Sequence, residues 1–111
     1  MRLPTAIAVQ RDQRIEEEIA RAAGEWIARE SNRTSLVTVT RVHLSEDGNR
    51  ATIMISVLPE NQEKAARDFI SRNLGEVRRH LGKSSKIGRL PTLFVEIDKG
   101  EKNRAAVEAI V

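Results

Sequence analysis

Cysteine is absent from the 111 residues, so neither a disulfide framework nor a thiolate metal site can form, and nothing argues for an oxidising compartment. Tyrosine is absent as well. The only large aromatics are Trp26, Phe69 and Phe94, which makes aromatic stacking platforms unexpected and leaves the core to aliphatic side chains and alanine. No stretch approaches the roughly 18 consecutive apolar residues of a membrane span. The amino terminus also lacks the positive, then apolar, then small-residue order of a signal peptide. A chain with none of these features is expected in the cytoplasm, away from membranes.

What is present is charge, unevenly placed. Nineteen Lys and Arg against sixteen Asp and Glu give a modest net +3. From Arg11 to Glu30 the acids (Asp12, Glu16, Glu17, Glu18, Glu25, Glu30) outnumber the bases (Arg11, Arg14, Arg21, Arg29). From Arg72 to Arg89 six bases face one acid, Glu76. Positive charge concentrated in this way points to a polyanionic partner. The length suits one domain with one core: a tail over residues 1–10, a binding domain over 11–98, and a short carboxy-terminal helix over 99–111 packed on the domain or extending it.

Hydrophobic spacing sets the order of elements. Ile15, Ile19, Ala22, Ala23, Trp26 and Ile27 share one helical face, predicting a helix from near Arg11 to around Ser31–Thr34. Val37 and Val39 then alternate with Thr38 and Thr40 before the apolar parity switches to Val42 and Leu44, which requires a bulge near Thr40 and Arg41. Asp47-Gly48 signals a tight turn. The returning strand, Arg50 to Leu58, puts Ala51, Ile53, Ile55 and Val57 on one face and stops at Pro59. A second helix from about Asn61 buries Ala65, Ala66, Phe69 and Ile70, and the spacing continues through Leu74, Val77 and Leu81. Gly75 interrupts that run and marks a kink or junction. Gly82 suits a left-handed cap. A loop from Lys83 to Leu90 leads to Pro91 and a strand, Thr92 to Asp98, and a last helix from about Asn103 could seat Val107 and Ile110.

Catalytic and metal-binding patterns are missing. Gly82-Lys83-Ser84 imitates the end of a P-loop, but Val77 stands where that motif needs glycine, and no strand precedes it. His43 and His80, the only histidines, have no spacing for a metal or a triad. Glu16, Glu17 and Glu18 read as a solvated helix face. Arg11 and Arg14 read as exposed or paired with Glu18. No catalytic residue, cofactor or metal is expected.

The αββααβ order, with a three-stranded sheet backed by helices, makes this an α+β chain that looks like the type II KH fold. Several stretches resemble the ribosome-binding factor A family: Val39-Thr40-Arg41-Val42-His43-Leu44-Ser45-Glu46-Asp47, Ala51 to Val57, Leu81-Gly82-Lys83, and Leu90-Pro91-Thr92 through Asp98. The family's Ala-x-Gly kink corresponds here to Asn73-Leu74-Gly75, and Ser31-Asn32-Arg33 stands where Asp-Pro-Arg is often found. The resemblance implies non-catalytic binding to the small (30S) ribosomal subunit precursor and maturation of its 16S rRNA, by a protein expected to be a monomer. Another KH-type RNA-binding adaptor, or a protein interaction domain, stays open as the alternative.

On a nearly continuous helix, Arg72, Arg79 and Lys83 form one stripe, flanked by Arg78, Lys86 and Arg89. Such side chains neutralise phosphates. Gly75 would allow close backbone approach, and the next helix offers unpaired N–H groups. The expected RNA-binding set is therefore Arg72, Asn73, Gly75, Arg78, Arg79, Lys83, Lys86 and Arg89.

Overall fold

An amphipathic helix needs a surface to cover its apolar stripe, and here a small sheet supplies it. The computed structural model describes residues 6–31 and 34–100. Its elements are α1 (Ala6–Glu30), β1 (Leu36–Leu44), β2 (Arg50–Leu58), a 3₁₀ turn (Glu60–Gln62), α2 (Glu63–Arg72), α3 (Leu74–Ser84) and β3 (Thr92–Ile97). This is the expected αββααβ order. The helix expected from Asn103, with Val107 and Ile110, lies outside the described residues. α1 starts at Ala6 rather than near Arg11, because no glycine or proline interrupts the sequence between Pro4 and Gly24 and nothing stops the helix from propagating upstream.

β1 and β2 pair antiparallel from Leu36 opposite Leu58 to Leu44 opposite Ala51, and the register shifts between Val39 and Arg41, where the parity switch required it. The Thr40 hydroxyl at that bulge lies 2.6 Å from the carboxylate of buried Asp98. The turn closes with Gly48 at φ 75°. There the Asp47 carboxylate accepts bonds from the Ser45 hydroxyl at 2.6 Å and the Asn49 N–H at 3.0 Å. Those two donors, the hydroxyl foremost, hold Asp47 below the usual carboxylate range. β3 lies parallel to β2 on its other side, Arg50 opposite Thr92 and Ile55 opposite Ile97, so β2 is central.

One face of the sheet carries the core. Val42, Leu44, Ala51, Ile53, Ile55, Val57, Leu93 and Val95 are buried against Ile19, Ala22, Ala23, Trp26 and Ile27 of α1, Ala66 and Ile70 of α2, and Val77 and Leu81 of α3. Trp26 stacks on half-buried Phe69 with ring centroids 5.8 Å apart. Ala65, expected inside, is exposed. Neighbouring helical residues point about 100° apart, and the narrow stripe through Ala66 and Ile70 leaves Ala65 off the sheet. The expected 61-start is also modified: a 3₁₀ turn precedes α2 proper.

Candidate nucleic-acid interface

The two helices that carry the basic segment meet at Asn73, not at Gly75. Asn73 has φ −111° and ψ 15°, closing α2 and opening α3. Its side-chain amide donates to the Phe69 carbonyl at 2.7 Å. Its own carbonyl accepts from the N–H groups of Glu76 at 3.0 Å and Val77 at 3.1 Å. One residue thus satisfies backbone groups on both sides of the break. Gly75 sits inside the first turn of α3 without positive φ, and a Cβ there would meet no atom within 4 Å. The expectation that Gly75 sets the junction is corrected on this point: asparagine makes the break with its hydrogen bonds, and glycine is not required for it.

Gly82 is not a cap either. α3 runs through it to Ser84. Ser85 then stops the helix, its N–H and hydroxyl both donating to the Leu81 carbonyl at 3.1 and 2.8 Å. The hydroxyl is a second donor to a carbonyl the helix already uses, and the extended backbone of Ser85, φ −136° and ψ 164°, ends α3 without a left-handed glycine.

These boundaries redistribute the cations. The break at Asn73 interrupts the stripe, so Arg79 and Lys83, one turn apart and exposed on α3, remain on a common face. Arg72, at the end of α2, instead borders a groove of about 310 Å³ between the end of α1, the start of β1 and α2, with Phe69 and Val37 in its lining. Lys86 and Arg89 lie in the loop before β3. They border a broad cleft whose far side is α1 and the β1–β2 turn, including Glu16, Glu46 and Asp47.

That loop is tied down at both ends by arginine. Arg78 directs its guanidinium at the carbonyls of Leu90 at 3.2 Å and Pro91 at 3.4 Å. Arg21 of α1 donates to the Ser84 carbonyl at 3.0 Å while pairing with Glu18 at 2.7 Å and Glu25 at 2.9 Å. The Arg21 contact spans the chain from residue 21 to residue 84, which no local pattern indicates. Glu25 also lies 3.1 Å from His80 Nε2, and Glu16 accepts the Leu44 N–H at 2.8 Å. The acidic stretch of α1 is therefore not simply solvated, since part of it holds β1 and α3. His43 is exposed on β1.

No group of three or more His, Cys, Asp or Glu among the described residues could hold a metal ion. No described helix is long and apolar enough to cross a membrane. The arrangement offers exposed cations and a loop held in place, which suits the binding of a phosphate track.

Comparison with known proteins identifies the family. The family model described as ribosome-binding factor A matches residues 11–111. A ribosome-binding factor A from Pseudomonas fluorescens is 32% identical over 106 residues, covering 91% of this chain and 80% of the relative. Another from Clostridium acetobutylicum is 27% identical, covering 95% and 90%. The crystal structure of ribosome-binding factor A from Thermus thermophilus is similar with a TM-score of 0.68 at 26% identity, over 78% of this chain and 94% of that one. A homology model of the Thermus thermophilus factor, fitted into a cryo-EM map of a 30S complex with it, gives 0.67 at 26% identity, over 78% and 93%. With its αββααβ order, its parallel third strand and a family match reaching from α1 past β3, this chain belongs to the ribosome-binding factor A family.

Proposed function

We infer that this chain binds the precursor of the small ribosomal subunit and promotes maturation of its 16S rRNA by binding alone, in the cytoplasm and as a monomer. The observation that carries the reading is the exposed face of α3, where Arg79 and Lys83 stand one turn apart beside the loop that bears Lys86 and Arg89. A relative's homology model has been fitted into a map of a 30S complex, which supports the small subunit as the partner. Arg72, Asn73, Gly75 and Arg78 complete the proposed surface, Asn73 and Arg78 chiefly by setting the positions of α3 and the loop.

The physics is that of phosphate neutralisation. Each Lys or Arg that meets a phosphate releases condensed counterions, so affinity falls with salt while little base information is read. A factor that binds one conformation of a precursor better than its alternatives shifts the population toward it by its differential affinity, without a chemical step. It leaves when mature contacts remove that difference.

Replacing Arg79 and Lys83 together with glutamine tests the site. The double variant is expected to keep the fold, bind precursor subunits more weakly and flatten the dependence of log affinity on log salt by roughly one unit or more. Titrations of labelled protein into immature subunits at several salt concentrations measure both quantities. Unchanged affinity and slope in a folded R79Q/K83Q protein overturn the assignment.

A further inference from the structure

The helices cover one face of the sheet, and no described element covers the other. Along β1, His43 lies between buried Val42 and Leu44; along β2, Thr52 lies between buried Ala51 and Ile53; along β3, Phe94 lies between buried Leu93 and Val95. Side chains alternate across a strand, so all three point to the open face. The register makes them one row: His43 pairs with Thr52, and Thr52 pairs with Phe94. Phe94 is 43% exposed, whereas Trp26 is 2% exposed in the core. The same face carries exposed Arg41, opposite Met54, and exposed Arg50, opposite Thr92. Glu96 is the sole acid within the three strands.

We propose that this open face is a second RNA-binding surface, taking an unpaired RNA segment whose bases stack on Phe94 and His43 while Arg41 and Arg50 meet its phosphates. The proposal rests on the reading of this chain as an RNA-binding protein, but it uses none of the residues on α3. Two features select single-stranded RNA as the occupant. Arg41 and Arg50 outnumber the one exposed carboxylate of the three strands, Glu96, which makes the face complementary to a polyanion and not to an acidic partner, while the exposed Leu36–Leu58 pair at its far end adds apolar surface. Row partners two strands apart are about 10 Å from one another at the usual strand spacing, a separation that suits splayed bases of consecutive nucleotides better than the continuous stack of a duplex. Unpaired bases exposing their faces to aromatic rings are the usual targets of such sheets.

The test uses the full chain with single-stranded hexa-adenylate and hexa-uridylate RNA as probes and an RNA duplex as control. Phe94→Ala is expected to weaken hexanucleotide binding by about tenfold, in the range of one lost base–aromatic stack, to leave duplex affinity unchanged, and to preserve the salt slope because no charge is removed. Phe94→Leu, which keeps apolar area but no π-face, loses affinity similarly, and Phe94→Trp retains it. Amide signals of His43 and Phe94 shift on adding the hexanucleotide. Wild-type affinity in folded F94A or F94L overturns the proposal. So do Phe94 signals that respond to protein dilution and not to RNA, the mark of a second copy on this face. Loss in R79Q/K83Q without loss in F94A removes the sheet site and leaves the α3 site, and the reverse removes the α3 site and leaves this one.

Discussion

Asn73 and Gly75 are two residues apart and carry opposite structural consequences. Asn73 bonds to Phe69 with its side chain and to α3 with its carbonyl, so Asn73→Ala leaves a helix-end carbonyl without its partner. A loss of about 1 kcal/mol is expected, as for other capping side chains. Gly75 holds ordinary helical backbone with open space around the missing Cβ. Gly75→Ala should therefore fold normally and gain up to about 1 kcal/mol in urea or thermal unfolding, from reduced unfolded-state entropy. Subunit affinity separates the two remaining roles of the glycine. If G75A is more stable yet binds more weakly, the bare backbone at residue 75 is used by the ligand. Equal binding makes Gly75 a neutral position. The apolar spacing runs on unbroken from Ile70 to Leu81 and only the glycine pointed to a break, at Gly75; the junction falls at Asn73 instead, because its amide reaches the Phe69 carbonyl.

At the level of elements, the loop before β3 is the clearest case of a segment placed by contacts from elsewhere. Arg21 and Arg78 are both exposed, and neither surface ion pairs nor single solvent-exposed hydrogen bonds contribute much to stability, so their effect should be local and not global. Arg78→Gln is expected to leave the unfolding midpoint nearly unchanged while raising amide hydrogen exchange across residues 85–90, with Arg79→Gln as the control that leaves exchange unaffected. Arg21→Gln should raise exchange at the end of α3 around Ser84 and Ser85. Equal exchange in all three variants would show that packing of Ile87 and Leu90 against the core alone holds the loop. Local signals located the loop between Gly82 and Pro91, as Lys83 to Leu90, whereas the helix runs on to Ser84 and the loop starts two residues later. That two of its arginine neighbours face carbonyls and not solvent could not be read from charge counts, because a guanidinium has the same charge in either situation.

For the whole molecule, the decisive contact is the layer of α1 on the sheet. Trp26 is nearly fully buried and stacked on Phe69, joining α1 to α2 over the core. Trp26→Ala should cost about 3–5 kcal/mol by emptying the largest buried side chain. Denaturant unfolding followed by far-UV circular dichroism measures this, and a cost below about 1 kcal/mol would mean that the core collapses to fill the site. The alternation in β2 and β3, the helical stripe of α1, the turn at Asp47-Gly48 and the parity switch at the bulge are local matters of period and backbone freedom. For that reason the sequence by itself determined the αββααβ order, the buried residues of the sheet and the family resemblance. Only the tertiary structure decided which cations share a surface. A break at Asn73 leaves Arg72 at the end of α2, beside the groove by α1 and β1, and Arg79 and Lys83 on α3, while long-range contacts put Arg21 on Ser84. Strand pairing sets His43, Thr52 and Phe94 side by side from positions far apart in the chain. Such juxtapositions depend on register and crossing direction, and a one-dimensional pattern of charge and hydrophobicity does not contain them.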